Sequence, residues 1–180
     1  MLAETTWMDK DTRKLAIAKA KAIKENIGYP EVIKDDVYLD TLYQQIRPRE
    51  NTFFENVVNG MNVAMRRHLK KFDKPVDKTT WRMGPAQVTA YYGRLNNVIV
   101  FPAAVLHPPM YSKTYPKCLN YGGIGVIIGH EITHGFDNSG RQFDQGGNLK
   151  SWWPKKVVDE FIRRAQCIVH QYNQRETDAG

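Results

Sequence analysis

The sequence predicts a mainly α-helical fold with a small β-hairpin that forms an edge sheet. Three observations carry that expectation. Apolar residues recur at three- and four-residue intervals in the first two-fifths of the chain and again beyond Pro154. Residues 86–101 hold two runs of strand formers around the turn-like Gly93-Arg94-Leu95-Asn96-Asn97. Prolines at 102, 108 and 109, and glycines at 146 and 147, break the rest into short connections.

The elements follow in chain order. Asp9 or Asp11 can cap a first helix running through about Glu25, with Leu15, Ala18, Ala22 and Ile23 towards one side and Gly28 and Pro30 as the stop. A second helix is expected from about Asn51 to Lys71. Its residues Phe54, Val57, Val58, Met61, Met65, Leu69 and Phe72 form a stripe expected to pack in the core. After Lys74-Pro75-Val76-Asp77-Lys78 the pattern turns extended, with strands at Ala86–Tyr92 and Val98–Phe101. Tyr121-Gly122-Gly123-Ile124-Gly125 leads into a helix that runs to about His134. A last amphipathic helix starts near Pro154, with Val157, Val158, Phe161, Ile162, Ala165, Ile168, Val169 and Tyr172 as its buried stripe.

Composition narrows the class. A chain of 180 residues with 42% hydrophobic and 25% charged residues can build a core, so disorder is not the expectation. The net charge of +7 admits an acidic partner. Its basic residues, however, are spread over helical segments such as Arg13-Lys14, Lys19 to Lys24 and Arg66 to Lys71. They carry no nucleic-acid motif and are expected as solvated helix faces, so no nucleic-acid partner is expected. No apolar run reaches the length of a membrane span, and the first residues lack a signal pattern. Any membrane anchor is expected outside this chain. Cys118 and Cys167 are too few to read a redox compartment, and neither sits in a Cys-x-x-Cys pair.

The chemistry lies in His130-Glu131-Ile132-Thr133-His134. Four residues apart on a helix, the two imidazoles share one face and can hold one zinc ion. Glu131 projects beside such a metal and can take a proton from activated water, then pass it to a leaving amine. A catalytic zinc normally has three protein ligands, so two histidines are incomplete. The variant with Gly three and His six residues after the second His is excluded, because Asp137 and Gly140 stand there. The glycines at 122, 123, 125 and 129 suggest close packing of another element on this helix.

The block from Leu119 to Asp137 closely resembles the neprilysin and endothelin-converting enzyme family. So do Gly140-Arg141-Gln142-Phe143-Asp144, Gly147-Asn148-Leu149, Trp152-Trp153, Ile99-Val100-Phe101-Pro102-Ala103, Trp7-Met8-Asp9 and Ile27-Gly28-Tyr29-Pro30. The resemblance spans nearly the whole chain. It implies a thermolysin-like zincin: a zinc metalloendopeptidase that cleaves peptides on the amino side of hydrophobic residues. His130 and His134 would be zinc ligands, Glu131 the catalytic base, and Asp137 the carboxylate supporting a zinc histidine. Thr89-Ala90-Tyr91 matches an Asn-Ala-aromatic segment that binds substrate by strand addition, with Thr89 in place of the usual Asn. Val105, Met110, Val126 and Ile127 would line part of the selectivity pocket. Cys167 would pair with a cysteine beyond this segment, whereas Cys118 stands where the family has a small residue. Most members are membrane-anchored ectoenzymes or secreted.

The family's third zinc ligand is a Glu in a downstream Gly-Glu-Asn-Ile-Ala-Asp block. Asp159, Glu160, Glu176 and Asp178 lie in other contexts. The chain is therefore expected to be truncated. Residues 1–76 would end the helical region preceding the catalytic domain, and residues 77–180 would form the first half of that domain. The alternative is a catalytically incomplete module that binds a peptide or another partner.

Overall fold

The computed structural model describes residues 2–175. In chain order the helices and strands are α1 (Lys10–Lys21), β1 (Lys24–Gly28), α2 (Asp36–Tyr43), α3 (Phe53–Leu69), β2 (Tyr91–Gly93), β3 (Val98–Pro102), α4 (Lys117–Gly122), α5 (Ile124–His134) and α6 (Lys155–Asn173). The fold is mainly helical around one three-stranded sheet of order β1-β3-β2.

Asp9 caps α1. Its carboxylate accepts the N–H of Asp11 and of Thr12 and the Thr12 hydroxyl, which together hold its pKa below the ordinary carboxylate value. The helix stops at Lys21 rather than near Glu25, because Lys24–Gly28 leaves as a strand. β1 pairs parallel with β3, Lys24 opposite Val98 through Gly28 opposite Pro102. On its other side β3 pairs antiparallel with β2, Tyr91 opposite Val100. The hairpin thus forms as expected, but its first strand is shorter. Only Tyr91–Gly93 pairs, and residues 86–90 pass through a turn and a bend instead of forming a strand.

Every residue of β3 is buried. Ile99, Phe101 and Val105 pack with Ile124 of α5, joined by Ile23, Tyr92, Ile127 and Ile132. This cluster seats the α5 helix on the sheet. A second cluster joins Met8 and Ala16 to Trp153 and Val157, with Trp7 and Phe161 each edge-on to Trp153 and tilted against one another. It fastens the start of α6 to α1.

Four expectations about burial do not hold. The inward face of α1 is Thr12, Ala16 and Lys19, while Leu15 and Ala22 are exposed. Lys19 is 1% exposed, not a solvated helix charge. The α3 stripe has helical spacing, but Phe54, Met61, Met65, Leu69 and Phe72 are exposed and only Val63 is buried. In α6 the first turns bury Val157, but Ile162, Ile168, Val169 and Tyr172 are exposed. Spacing reports which residues share a face, not what lies against that face.

The glycines before α5 also divide. Gly123 meets the backbone carbonyl of Met110, which accepts the N–H of Ile124 at 2.8 Å, so a Cβ there would collide with main chain. Gly122 and Gly129 face open space. The α4 helix, just before this junction, carries exposed Cys118. Cys167 on α6 is exposed as well, and both thiols are free.

Candidate active site

The last turn of α5 places His130 and His134 side by side. Their Nε2 atoms are 2.9 Å apart and their ring centroids 4.5 Å apart. Two nitrogens on one tetrahedral zinc, each at about 2.0–2.1 Å, lie about 3.3 Å from one another, so the pair converges on a position that suits that ion. Nδ1 of His134 lies 2.7 Å from Oδ2 of Asp137. That contact leaves Nε2 of His134 as the nitrogen turned towards His130. Glu131, between the two histidines in sequence, is buried at 5% exposure.

Asp137 is fixed by the chain around it. Its Oδ1 accepts the N–H of Ser139 at 2.9 Å and of Gly140 at 2.7 Å. Burial raises its pKa, but these donors and the His134 ring outweigh that, and the carboxyl stays below its ordinary value. Gly140 is required here, since a Cβ would strike the carbonyl of His134.

A cleft of about 680 Å³ opens over these residues. Thr89, Ala90, Val105, Met110, Ile127, His130, Glu131, His134 and Asp137 all line it. Val126 is outside this lining and is exposed. One wall is β2, an edge strand of the sheet, with Thr89 and Ala90 just before its first residue. Among the described residues no group of three or more His, Cys, Asp or Glu side chains is gathered that could hold a metal. Glu176 and Asp178 lie outside the described residues.

Two buried polar residues behind the cleft were not legible as site residues. The Lys19 ammonium donates to the carbonyls of Gly135 (2.6 Å), Gly140 (2.7 Å) and Phe143 (2.6 Å). It also lies 5.4 Å from the Phe136 ring centroid. Burial lowers its pKa to about 8, against the opposing attraction of Asp144 and Asp137. Asn97 accepts the Tyr92 hydroxyl at 2.7 Å, and its amide donates to the carbonyls of Lys19 and Gln145. Burial, with the Asp137 charge added, pushes Tyr92 up to about 12, so its hydroxyl stays protonated. The one sequence signal for Lys19 is its place at helical spacing from Thr12 and Ala16.

The model of Peptidase family M13 matches residues 89–180, just over half the chain. The chain belongs to this family. Among M13-like relatives, an endothelin-converting enzyme homolog from Locusta migratoria is 43% identical over 98% of this chain and 24% of its own length. Human neprilysin is 45% identical over 95% of this chain and 23% of its own length. A zinc metalloprotease of Mycobacterium tuberculosis, solved with an inhibitor, superposes with a TM-score of 0.89 at 38% identity, covering 98% of this chain and 26% of that one. The chain thus spans about a quarter of the length of the relatives it matches.

Proposed function

We propose that this chain supplies the two-histidine part of the zinc site of an M13 endopeptidase, together with the base and one wall of its substrate cleft. The observation that carries this reading is the convergence of the His130 and His134 Nε2 atoms, 2.9 Å apart, with Asp137 on Nδ1 of His134.

His130 and His134 would hold the zinc ion through Nε2, with a third ligand contributed from beyond the described residues. Zinc held there would polarise the scissile carbonyl and make water acidic enough to be deprotonated near neutral pH. Glu131 would take that proton on its carboxylate and deliver it to the departing amine. Asp137 would keep the proton of His134 on Nδ1, so that the lone pair stays on Nε2.

The substrate would be a peptide lying along the free edge of β2, adding a strand beside Thr89, Ala90 and Tyr91. Val105, Met110 and Ile127 on the cleft wall would receive a hydrophobic side chain, consistent with cleavage on its amino side. Membership of a family of ectoenzymes supports a location on the outer face of the plasma membrane or in secretion for such an enzyme. No described helix is long and apolar enough to cross a membrane.

A second reading starts from the two histidines alone, since among the described residues no group of three or more His, Cys, Asp or Glu is gathered that could hold a metal. On it the chain is a peptide-binding module without hydrolytic activity. Zinc stoichiometry and a fluorogenic peptide assay on the full-length protein and on its Glu131→Gln variant separate the two. One zinc per chain, with hydrolysis lost in Glu131→Gln, supports the endopeptidase. Peptide binding without zinc or hydrolysis supports the module.

A further inference from the structure

We propose that Lys19 is a positioning residue for His134, acting through the segment 135–143 although it lies more than a hundred residues earlier in the chain. The inference rests on the reading of His130 and His134 as zinc ligands.

Three consecutive contacts carry it. The buried Lys19 ammonium donates to the carbonyls of Gly135, Gly140 and Phe143, drawing both ends and the middle of the segment onto one cation. Gly140 then donates its N–H to Oδ1 of Asp137. Oδ2 of the same carboxylate meets Nδ1 of His134. Gly140 is the shared link, with its carbonyl on the cation and its N–H on the anion. The segment thus has the cation on three of its carbonyls and its own Asp137 carboxylate on the N–H groups of Ser139 and Gly140. Lys19 itself is anchored, because its backbone carbonyl accepts from the Asn97 amide at the end of the hairpin.

An ammonium has three donors, and three carbonyls take them. A neutral apolar side chain of the same length would leave those carbonyls unpaired in a buried place, so the segment would have to open towards water. Asp137 would then lose its fixed aim at His134. A residue that orients a zinc histidine through a carboxylate typically changes metal affinity by about 10–100-fold when removed.

The test is a double-mutant cycle on zinc affinity in the full-length protein, measured by competition with a chromophoric chelator. The variants are Lys19→Met, Asp137→Asn and the two combined. The thermal midpoint of each metal-free protein reports whether it is folded. The expected result is a loss of about tenfold or more in Lys19→Met, with the double variant no weaker than Asp137→Asn alone. A merely structural lysine would give losses that multiply. Unchanged affinity in folded Lys19→Met, or multiplying losses, overturns the proposal. If Lys19→Met does not fold, Lys19→Gln, which keeps a shorter donor, is put through the same cycle with the same criteria. A parent protein that binds no zinc overturns the zinc reading itself, and the role of Lys19 with it.

Discussion

Nδ1 of His134 and Oδ2 of Asp137 lie 2.7 Å apart, three residues along the chain. The carboxylate reaches back from the turn after α5 and contacts the ring from the side opposite His130. Removing the charge while keeping the shape isolates that contact. Asp137→Asn is expected to weaken zinc binding by about 10–100-fold. Its fold should persist, because the new side-chain oxygen can still accept from Ser139 and Gly140. Chelator competition on parent and variant measures the effect, and equal affinities would remove Asp137 from the site.

Thr89 stands where the family resemblance expects an Asn, two residues before the strand that walls the cleft. The threonine hydroxyl donates to the neighbouring Ala90 carbonyl at 3.3 Å, a local contact. Thr89→Asn would restore a carboxamide able to both donate and accept across a bound peptide. The expected outcome is a lower KM for peptide substrates, by severalfold, with kcat little changed. A change confined to kcat would argue that residue 89 does not bind substrate.

The exposed α3 face makes a prediction about the chain as it stands. Phe54, Met61, Met65 and Leu69 on α3 are exposed apolar residues, and Phe72 in the turn just beyond it is 90% exposed. Exposed apolar surface of that kind binds hydrophobic dyes and promotes association. The 180-residue chain is expected to bind anilinonaphthalene sulfonate, and Met61→Lys with Met65→Glu should reduce the signal without loss of helical circular dichroism. If the dye signal is unchanged, these residues are covered in solution.

What the sequence made legible follows from how local each signal is. The His130–His134 pair needs only one helical turn, and the Asp9 cap only three residues, so both could be read directly. The α6 start at Pro154 and the hairpin turn are local in the same sense. β1 was hidden, since Lys24-Glu25-Asn26 lacks strand composition and becomes a strand by pairing with β3 some seventy residues later. Lys19 was hidden for a related reason. Its three carbonyl partners are main-chain groups more than a hundred residues away, and no side-chain pattern announces them. The α3 stripe shows the converse, because its period was readable and its surroundings were not.

Phe101 tests the sheet's part in carrying the site. It is 2% exposed, in the strand with neighbours on both sides, and packs in the cluster that contains Ile124 of α5. Phe101→Ala would leave a cavity under the α5 helix at a cost of about 3–5 kcal/mol. Urea unfolding should show that loss as a lower midpoint. A loss below about 0.5 kcal/mol, the range of surface changes, would mean that the helix does not depend on this contact.

Lys19 also gives the chain a pH dependence whose sign can be worked out. Its pKa falls from 10.5 to about 8 because burial disfavours the ammonium more than Asp144 and Asp137 favour it. Between those values the unfolded chain keeps a proton that the folded chain has released. The unfolded state therefore binds more protons, and stability rises with pH across that window. The contribution is complete above about pH 10.5 and lost as pH falls through about 8. Other groups titrate in the same range, so the informative quantity is a difference. Denaturant midpoints of parent and Lys19→Met, taken at pH 7.5 and pH 10, should converge or separate by the amount this one group supplies. The parent is expected to gain more on going to pH 10 than the variant. An equal change in both would mean that Lys19 keeps an ordinary pKa in the fold, with its ammonium as well served by the three carbonyls as by water.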